Sequence, residues 1–406
     1  MDISDPRELG FDPERLARIP AFLDERYVNP GLLAGTQVMV AREGKPVLFA
    51  TQGAARADGE PLRDDSLFRI ASMTKPVTSV AFMMLFEQGK VTLDQPVHTV
   101  LPEFMDIPVY DGGGAGTPFR TKPAERPMQM IDLLRHTSGL TYSFQHRTNI
   151  DAAYRESGIE RWHGEHDLDS FAGALAQIPL EFSPGTAWNY SVSTDLLGLV
   201  VQRVAGIELS EFLHRSIFAP LGMKDTAFAC PASKTHRLGD AWQFDPKKGR
   251  TLNDPATRSA WSKPPKLVAG GAGLVSTTAD YHRFCSMLLN GGELDGVRIL
   301  GRKTIDLMTA NHLPGGADLT EMSRSLFSEA VNAGQGFGLG FGVNLDPART
   351  MLPGSKGEYY WGGMYSTAFF IDPVERIHAI FMAQLMPSST YPIRRQLKTL
   401  IYSALQ

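Results

Sequence analysis

The chain has 406 residues, which is long for one simple core and points to two subdomains. With 43% hydrophobic and 21% charged residues it is neither disordered nor fibrous, and a formal charge of -4 without a basic stripe argues against a nucleic-acid partner. Two cysteines, Cys230 and Cys285, exclude a disulfide framework and leave at most one optional bridge. The opening "MDISDPRELGFDPERLARI" carries charges where a signal peptide needs an apolar core. No apolar run approaches the roughly 18 residues of a membrane span, so a cytoplasmic location is expected.

In chain order, Asp12 before Pro13 predicts a helix cap, followed by Leu16, Ile19, Phe22 and Leu23 at helical spacing with a kink at Pro20. The stretch "TQVMVAREGKPVLFATQG" predicts two strands joined by a tight turn at Glu43 and Gly44. "FRIASMTKPVTSVAFMMLFEQGK" predicts a helix with Pro76 in its first turn, Ser72 at or beside its N-cap and Gly89 as its stop. Met83 and Met84 behind it are expected to fill core.

The middle of the chain is dominated by helical patterns, in "PMQMIDLLRHTS", "STDLLGLVVQRVAG" and "STTADYHRFCSMLLNGG". In the last, Thr277 is the cap and Asn290-Gly291 the stop. Two stretches, "DGGGAGTPFRTKPAERP" and "WQFDPKKGRTLNDPATRSAWSKPP", read as long loops of the kind that border functional sites. Near the end, "YSTAFFIDPVERIHAIFMAQL" predicts strand, Asp-Pro turn and strand, and "IRRQLKTLIYSAL" a final helix. The expected fold is therefore α+β. Residues 1–85 and 325–406 form a domain with an antiparallel sheet, 86–324 form a mostly helical domain, and the active site lies at their interface.

Ser72 and Lys75 carry the chemistry. Residues three apart share a helix face, so the Lys75 amine can reach the Ser72 hydroxyl. The positive end of the helix dipole disfavours a further cation and so favours a neutral amine. A serine hydroxyl becomes a nucleophile only beside a base, and no Gly-x-Ser-x-Gly elbow offers a rival.

Together with "RIASMTKP", the segments "LLRHTSGLTY", "FSPGTAWNYSVSTDLLG", "GGAGLVSTTADYHRF", "FGLGFGV" and "WGGMYSTAFFIDP" follow one another along nearly the whole chain. In this order they resemble the serine β-lactamase and penicillin-binding protein superfamily, specifically its class C β-lactamase-like members, the family VIII carboxylesterases. The resemblance implies a β-lactamase-like fold and a Ser72, Lys75 and Tyr190 catalytic set, with no cofactor or metal. It also places the backbone amides of Ser72 and Met364 in an oxyanion hole, and Val192, Trp361, Gly362 and Gly363 against the substrate.

Where class C β-lactamases have asparagine in the second motif this chain has Val192, and where they have the lysine of Lys-Thr-Gly it has Trp361. An apolar wall in place of a cation favours an uncharged small-molecule ester over an anionic lactam. The resulting expectation is a serine carboxylesterase for esters of modest acyl length. The rivals are an acyltransferase of the same family, a β-lactamase or D-amino-acid peptidase, and a dead binding module. Gly271 and Gly273 are expected only to shape a loop, Lys356 to lie on the surface, and His136 to be a hydrogen-bonded structural residue. His163, Glu165 and His166 in "WHGEHD" lack a zinc-site spacing and read as a polar loop. Oligomeric state is not legible.

Overall fold

The computed structural model describes residues 2–161, 163–324 and 333–406. The expected domain boundary at 325 lies outside the described residues. Strands β1 (Gly35–Arg42) and β2 (Lys45–Gly53) from the N-terminal part join β3 (Gln335–Phe337), β4 (Gly342–Asn344), β5 (Tyr359–Gly362), β6 (Ala368–Asp372) and β7 (Ile377–Met382). The sheet order is β3-β4-β5-β6-β7-β1-β2, antiparallel throughout. The two chain ends meet where β1 pairs with β7, with Met39 opposite Ile380. Glu43 (φ 53°) and Gly44 (φ 77°) make the β1–β2 turn, both with the positive φ that matches the twist of a tight hairpin.

Strand alternation sorts side chains into two cores. Val38 and Val40 of β1, with Ala379 and Phe381 of β7, enter an outer core. It is covered by helix α1 (Pro13–Leu23), which runs through Pro20, and by the C-terminal helix α5 (Ile393–Ser403). Met39, Ile380 and Met382 face the opposite way, into a larger inner core shared with α2 (Thr74–Glu87), α3 (Ser193–Ala205) and α4 (Thr278–Leu289). The sequence grouped α4 with the helical segment. Here Tyr281 packs on Phe369 of β6 (5.2 Å) and His282 bonds His378 of β7 (2.8 Å), so α4 rests on the sheet. Thr277 caps it through the Asp280 amide (3.1 Å).

Helix α2 is buried on nearly every side, from Thr74 to Met83 and again at Leu85. Truncating a side chain such as Phe82 to alanine should cost about 3–5 kcal/mol, because the surroundings cannot close the gap. The two stretches expected as loops each contain a hairpin instead, Val109–Gly114 with Thr117–Lys122 and Ala241–Asp245 with Gly249–Asp254. Their glycines and Asp-Pro step are turn chemistry, which in an isolated sequence looks the same as loop chemistry. Among the described residues no helix is long and apolar enough to cross a membrane.

Candidate active site

Ser72 lies in a single 3-10 turn, Ala71–Met73, that leads into α2, so Met73 rather than Ser72 occupies the N-cap. Ala71, just before it, has φ 45°, a strained value for a residue with a side chain. Such strain costs about 1–3 kcal/mol and persists only where the surroundings over-determine it. Here Ile70 N–H donates to the carbonyl of Leu274 (3.1 Å), and Thr367 Oγ1 donates to the carbonyl of Ile70 (3.3 Å). The sheet and the helical side thus hold the turn from both directions.

Lys75 is 1% exposed. A lysine head group so far from water needs partners. Its Nζ donates to Ser72 Oγ (3.3 Å), to the Tyr142 hydroxyl (2.9 Å) and to the carbonyl of Gly271 (2.8 Å), and it lies 4.6 Å from the centre of the Tyr190 ring. Behind these partners stands Asp195, on the first turn of α3. It accepts from the Gly271 amide (2.9 Å) and, at 3.5 Å, from the Tyr142 hydroxyl. Burial pushes the Asp195 carboxyl above the usual carboxylate range, against the pull of Lys75. Burial, with the charge of Asp195, holds the Tyr142 phenol well above its ordinary value, so it stays protonated. A Cβ on Gly271 would lie 2.6 Å from Asp195 Oδ2, so only glycine lets this loop close over the carboxylate.

Tyr190 completes the site. Its hydroxyl donates to Ser72 Oγ at 2.6 Å. The ring is fixed by Trp361 (5.4 Å between centroids), Tyr142 (5.1 Å) and His136 (5.0 Å). His136 is buried, with Nδ1 3.3 Å from Ser191 Oγ. Burial, and then the nearby charge of Lys75, lower it well below the usual histidine range, so it is neutral. The catalytic trio expected from sequence therefore converges on one hydroxyl. Tyr142, Asp195 and the Gly271 carbonyl are what sequence reasoning missed. Tyr142 and Asp195 stood inside quoted motifs, three residues after Gly139 and five after Tyr190, and the only signal was that a buried Lys75 must have acceptors.

The Beta-lactamase family model matches residues 25–402. The chain belongs to the Beta-lactamase family. It is 35% identical over 363 residues to Protein Rv1367c of Mycobacterium tuberculosis, covering 88% of each chain. It is 30% identical over 386 residues to Esterase EstB of Burkholderia gladioli, covering 91% of this chain and 90% of that one. Among solved structures it matches EstCE1, described as a hydrolase with promiscuous acyltransferase activity, with a TM-score of 0.77 and 24% identity over 96% of this chain and 99% of the other. The fold is β-lactamase-like, and esterase and acyltransferase activities both occur among these Beta-lactamase family relatives.

Within this Beta-lactamase fold the remaining expected site residues fare unequally. Trp361 is buried with its ring against Tyr190 and Phe337 (5.3 Å), on the inner face of β5 beside the nucleophile. Val192, at the start of α3, is 1% exposed and packed into the inner core, so it backs the site rather than facing a substrate. A Cβ on Gly362 would meet the Arg394 guanidinium at 2.6 Å, and one on Gly363 would meet Thr367 Oγ1 at 2.3 Å and the Ile70 carbonyl at 2.5 Å, so packing alone already requires glycine at both positions. Their effect is to press the β5–β6 turn, which carries Met364, against the Ile70–Ala71 backbone that precedes Ser72.

Gly271, expected only to shape a loop, supplies Lys75 with an acceptor. Lys356 is exposed. Cys230 and Cys285 are free and buried. His163 packs edge-on against Trp261 (4.9 Å) and Glu165 pairs with Lys266 (2.6 Å). Among the described residues no group of three metal-ligating side chains comes together.

Proposed function

We propose that this member of the Beta-lactamase family is a serine carboxylesterase that cleaves uncharged esters of modest acyl length through an acyl-enzyme on Ser72. The observation that carries the reading is the convergence of the Tyr190 hydroxyl and the Lys75 amine on Ser72 Oγ, at 2.6 and 3.3 Å. Ser72 Oγ attacks the ester carbonyl as its proton passes to Lys75, which acts here as a neutral amine, while the Tyr190 hydroxyl is placed to relay a proton to the leaving oxygen. The amides of Ser72 and Met364 take the developing oxyanion, a contribution of about 10²–10³ in turnover for each donor. The C–O bond then breaks, and the leaving alcohol takes the proton back from the pair. Water, deprotonated by the same groups, attacks the acyl carbon and releases the carboxylic acid and Ser72.

Similarity to Esterase EstB supports hydrolysis. The apolar Trp361 wall supports a neutral acyl group over an anionic lactam. The acyl-enzyme can equally be resolved by an alcohol, as the promiscuity of the EstCE1 fold neighbour illustrates for that protein.

The deciding experiment compares nitrophenyl esters from acetate to decanoate, with a chromogenic cephalosporin alongside, for wild type and Ser72→Ala. Fast cleavage of short and medium esters, lost in Ser72→Ala, with little cephalosporin turnover, is the expected result. A cephalosporin preferred over every ester would overturn it. Adding a primary alcohol reveals acyl transfer as a second ester product formed at the expense of free acid.

A further inference from the structure

A second cavity, of about 430 Å³, lies on the other side of the sheet from Ser72, between α5 and the outer faces of β5, β6 and β7. Its size falls within the range of small-molecule sites. Trp361 turns its ring to Tyr190 and yet borders this cavity too, beside Tyr360. The walls are apolar, from Phe370, Ala379, Phe381 and Leu397. One edge is cationic, made by Arg394, Arg395 and Lys398 of α5.

The three cations are not equivalent. Lys398 is matched by Glu358 at 2.5 Å. Arg395 lines the cavity and donates through Nη2 to the carbonyl of Thr350 (3.3 Å), and among the described residues no carboxylate pairs with it. An arginine at the rim of an apolar slot complements an anion carried on an apolar chain. Arg394 also lines the cavity, and its Nη2 donates to the carbonyls of Gly363 (2.8 Å) and Thr367 (2.9 Å), at the ends of the turn that carries Met364.

We propose that this cavity binds a single-chain carboxylate amphiphile, a medium-chain fatty acid, with its carboxylate on the Arg395 edge and its chain along Phe370, Ala379 and Phe381. Binding there does not depend on the ester reading. An effect on turnover, passed through Arg394 to the Met364 turn, does rest on it.

The test is calorimetric titration of decanoate, and of decanol as its uncharged counterpart, into Ser72→Ala protein. Decanoate is expected to bind once per chain, and decanol about tenfold more weakly. Arg395→Gln should weaken decanoate about tenfold, the loss typical of one charge-assisted hydrogen bond. Ala379→Phe and, independently, Ala368→Phe fill the slot and should abolish binding while the circular-dichroism spectrum stays native. If decanoate does not bind, binds no better than decanol, or binds Arg395→Gln and a folded filled variant as tightly as the parent, the assignment is overturned. With wild type, inhibition of ester hydrolysis by decanoate should be non-competitive. A purely competitive pattern would put the ligand at Ser72 instead. Because the binding arm uses an inactive protein, its failure is distinct from a failure to hydrolyse esters.

Discussion

A lysine, a tyrosine and a buried carboxylate come together on each side of the sheet, and the two clusters differ in how the lysine meets the carboxylate. On the outer face Lys398 Nζ sits 2.5 Å from Glu358, and the Tyr402 hydroxyl lies 2.6 Å from both Glu358 and Asp372. Burial raises the Glu358 carboxyl above its ordinary value, against the pull of Lys398. On the inner face Lys75 is linked to Asp195 through the Tyr142 hydroxyl and the Gly271 peptide, and it also reaches Ser72. Direct pairing fixes a lysine as a cation that ties α5 to the sheet. Pairing at one remove leaves an amine oriented by a carboxylate yet able to exchange a proton with a hydroxyl. The same residue types thus give a structural clasp on one face and a reactive group on the other.

The comparison breaks most visibly at the two lysines. Lys75→Met should lower kcat by about 10²–10⁴ with a modest change in KM, the usual range for losing a positioned base. Lys398→Met should leave kcat/KM for a short nitrophenyl ester within about twofold but cost about 3–5 kcal/mol in denaturant unfolding, because Glu358 would be stranded in the interior. If Lys398→Met abolished activity in a folded protein, or if Lys75→Met were fully active, the contrast between the faces would be wrong.

Tyr142→Phe sharpens the inner half. It removes the hydroxyl between Lys75 and Asp195 without changing volume, and should reduce kcat about tenfold while displacing the pH–rate profile. A fall in stability alone, with an unchanged profile, would reduce Tyr142 to packing.

The last test concerns the contact between α4 and the sheet. Burial lowers His282 to about 4 and His378 well below its ordinary value, with Arg283 adding to the first and His282 to the second. Both are neutral when folded and take up protons on unfolding, so stability should rise with pH between about 4 and 6.5 and fall as acid is added across that window. For His282 the change is about 3 kcal/mol at most. Urea unfolding at several pH values should show this slope, and His282→Gln should flatten it.

Much of this was readable before any coordinates. The Glu43-Gly44 hairpin, the start of α2 around Pro76, the Thr277 cap and the terminal strands all follow from local chemistry, and Ser72 with Lys75 follows from helix spacing. The two internal hairpins were lost because their turns share composition with loops. Tyr142 was lost because nothing in "LLRHTSGLTY" says that its hydroxyl points at Lys75, 67 residues away in sequence. Gly362 and Gly363 signal close approach in the sequence, but not that Arg394, Thr367 and the Ile70 carbonyl are among what approaches.

The sequence alone determined which residues carry reactive groups and which stretches alternate or repeat at helical spacing, because those are properties of neighbours along the chain. Only the tertiary structure decided that β1 would pair with β7 and so bring the two ends into one sheet. It alone set Lys75 one phenol away from a carboxylate and Lys398 directly against its own, and it alone brought Arg395 to the edge of an apolar slot. Those outcomes depend on distances between segments far apart in sequence, and burial is what turns such distances into chemistry.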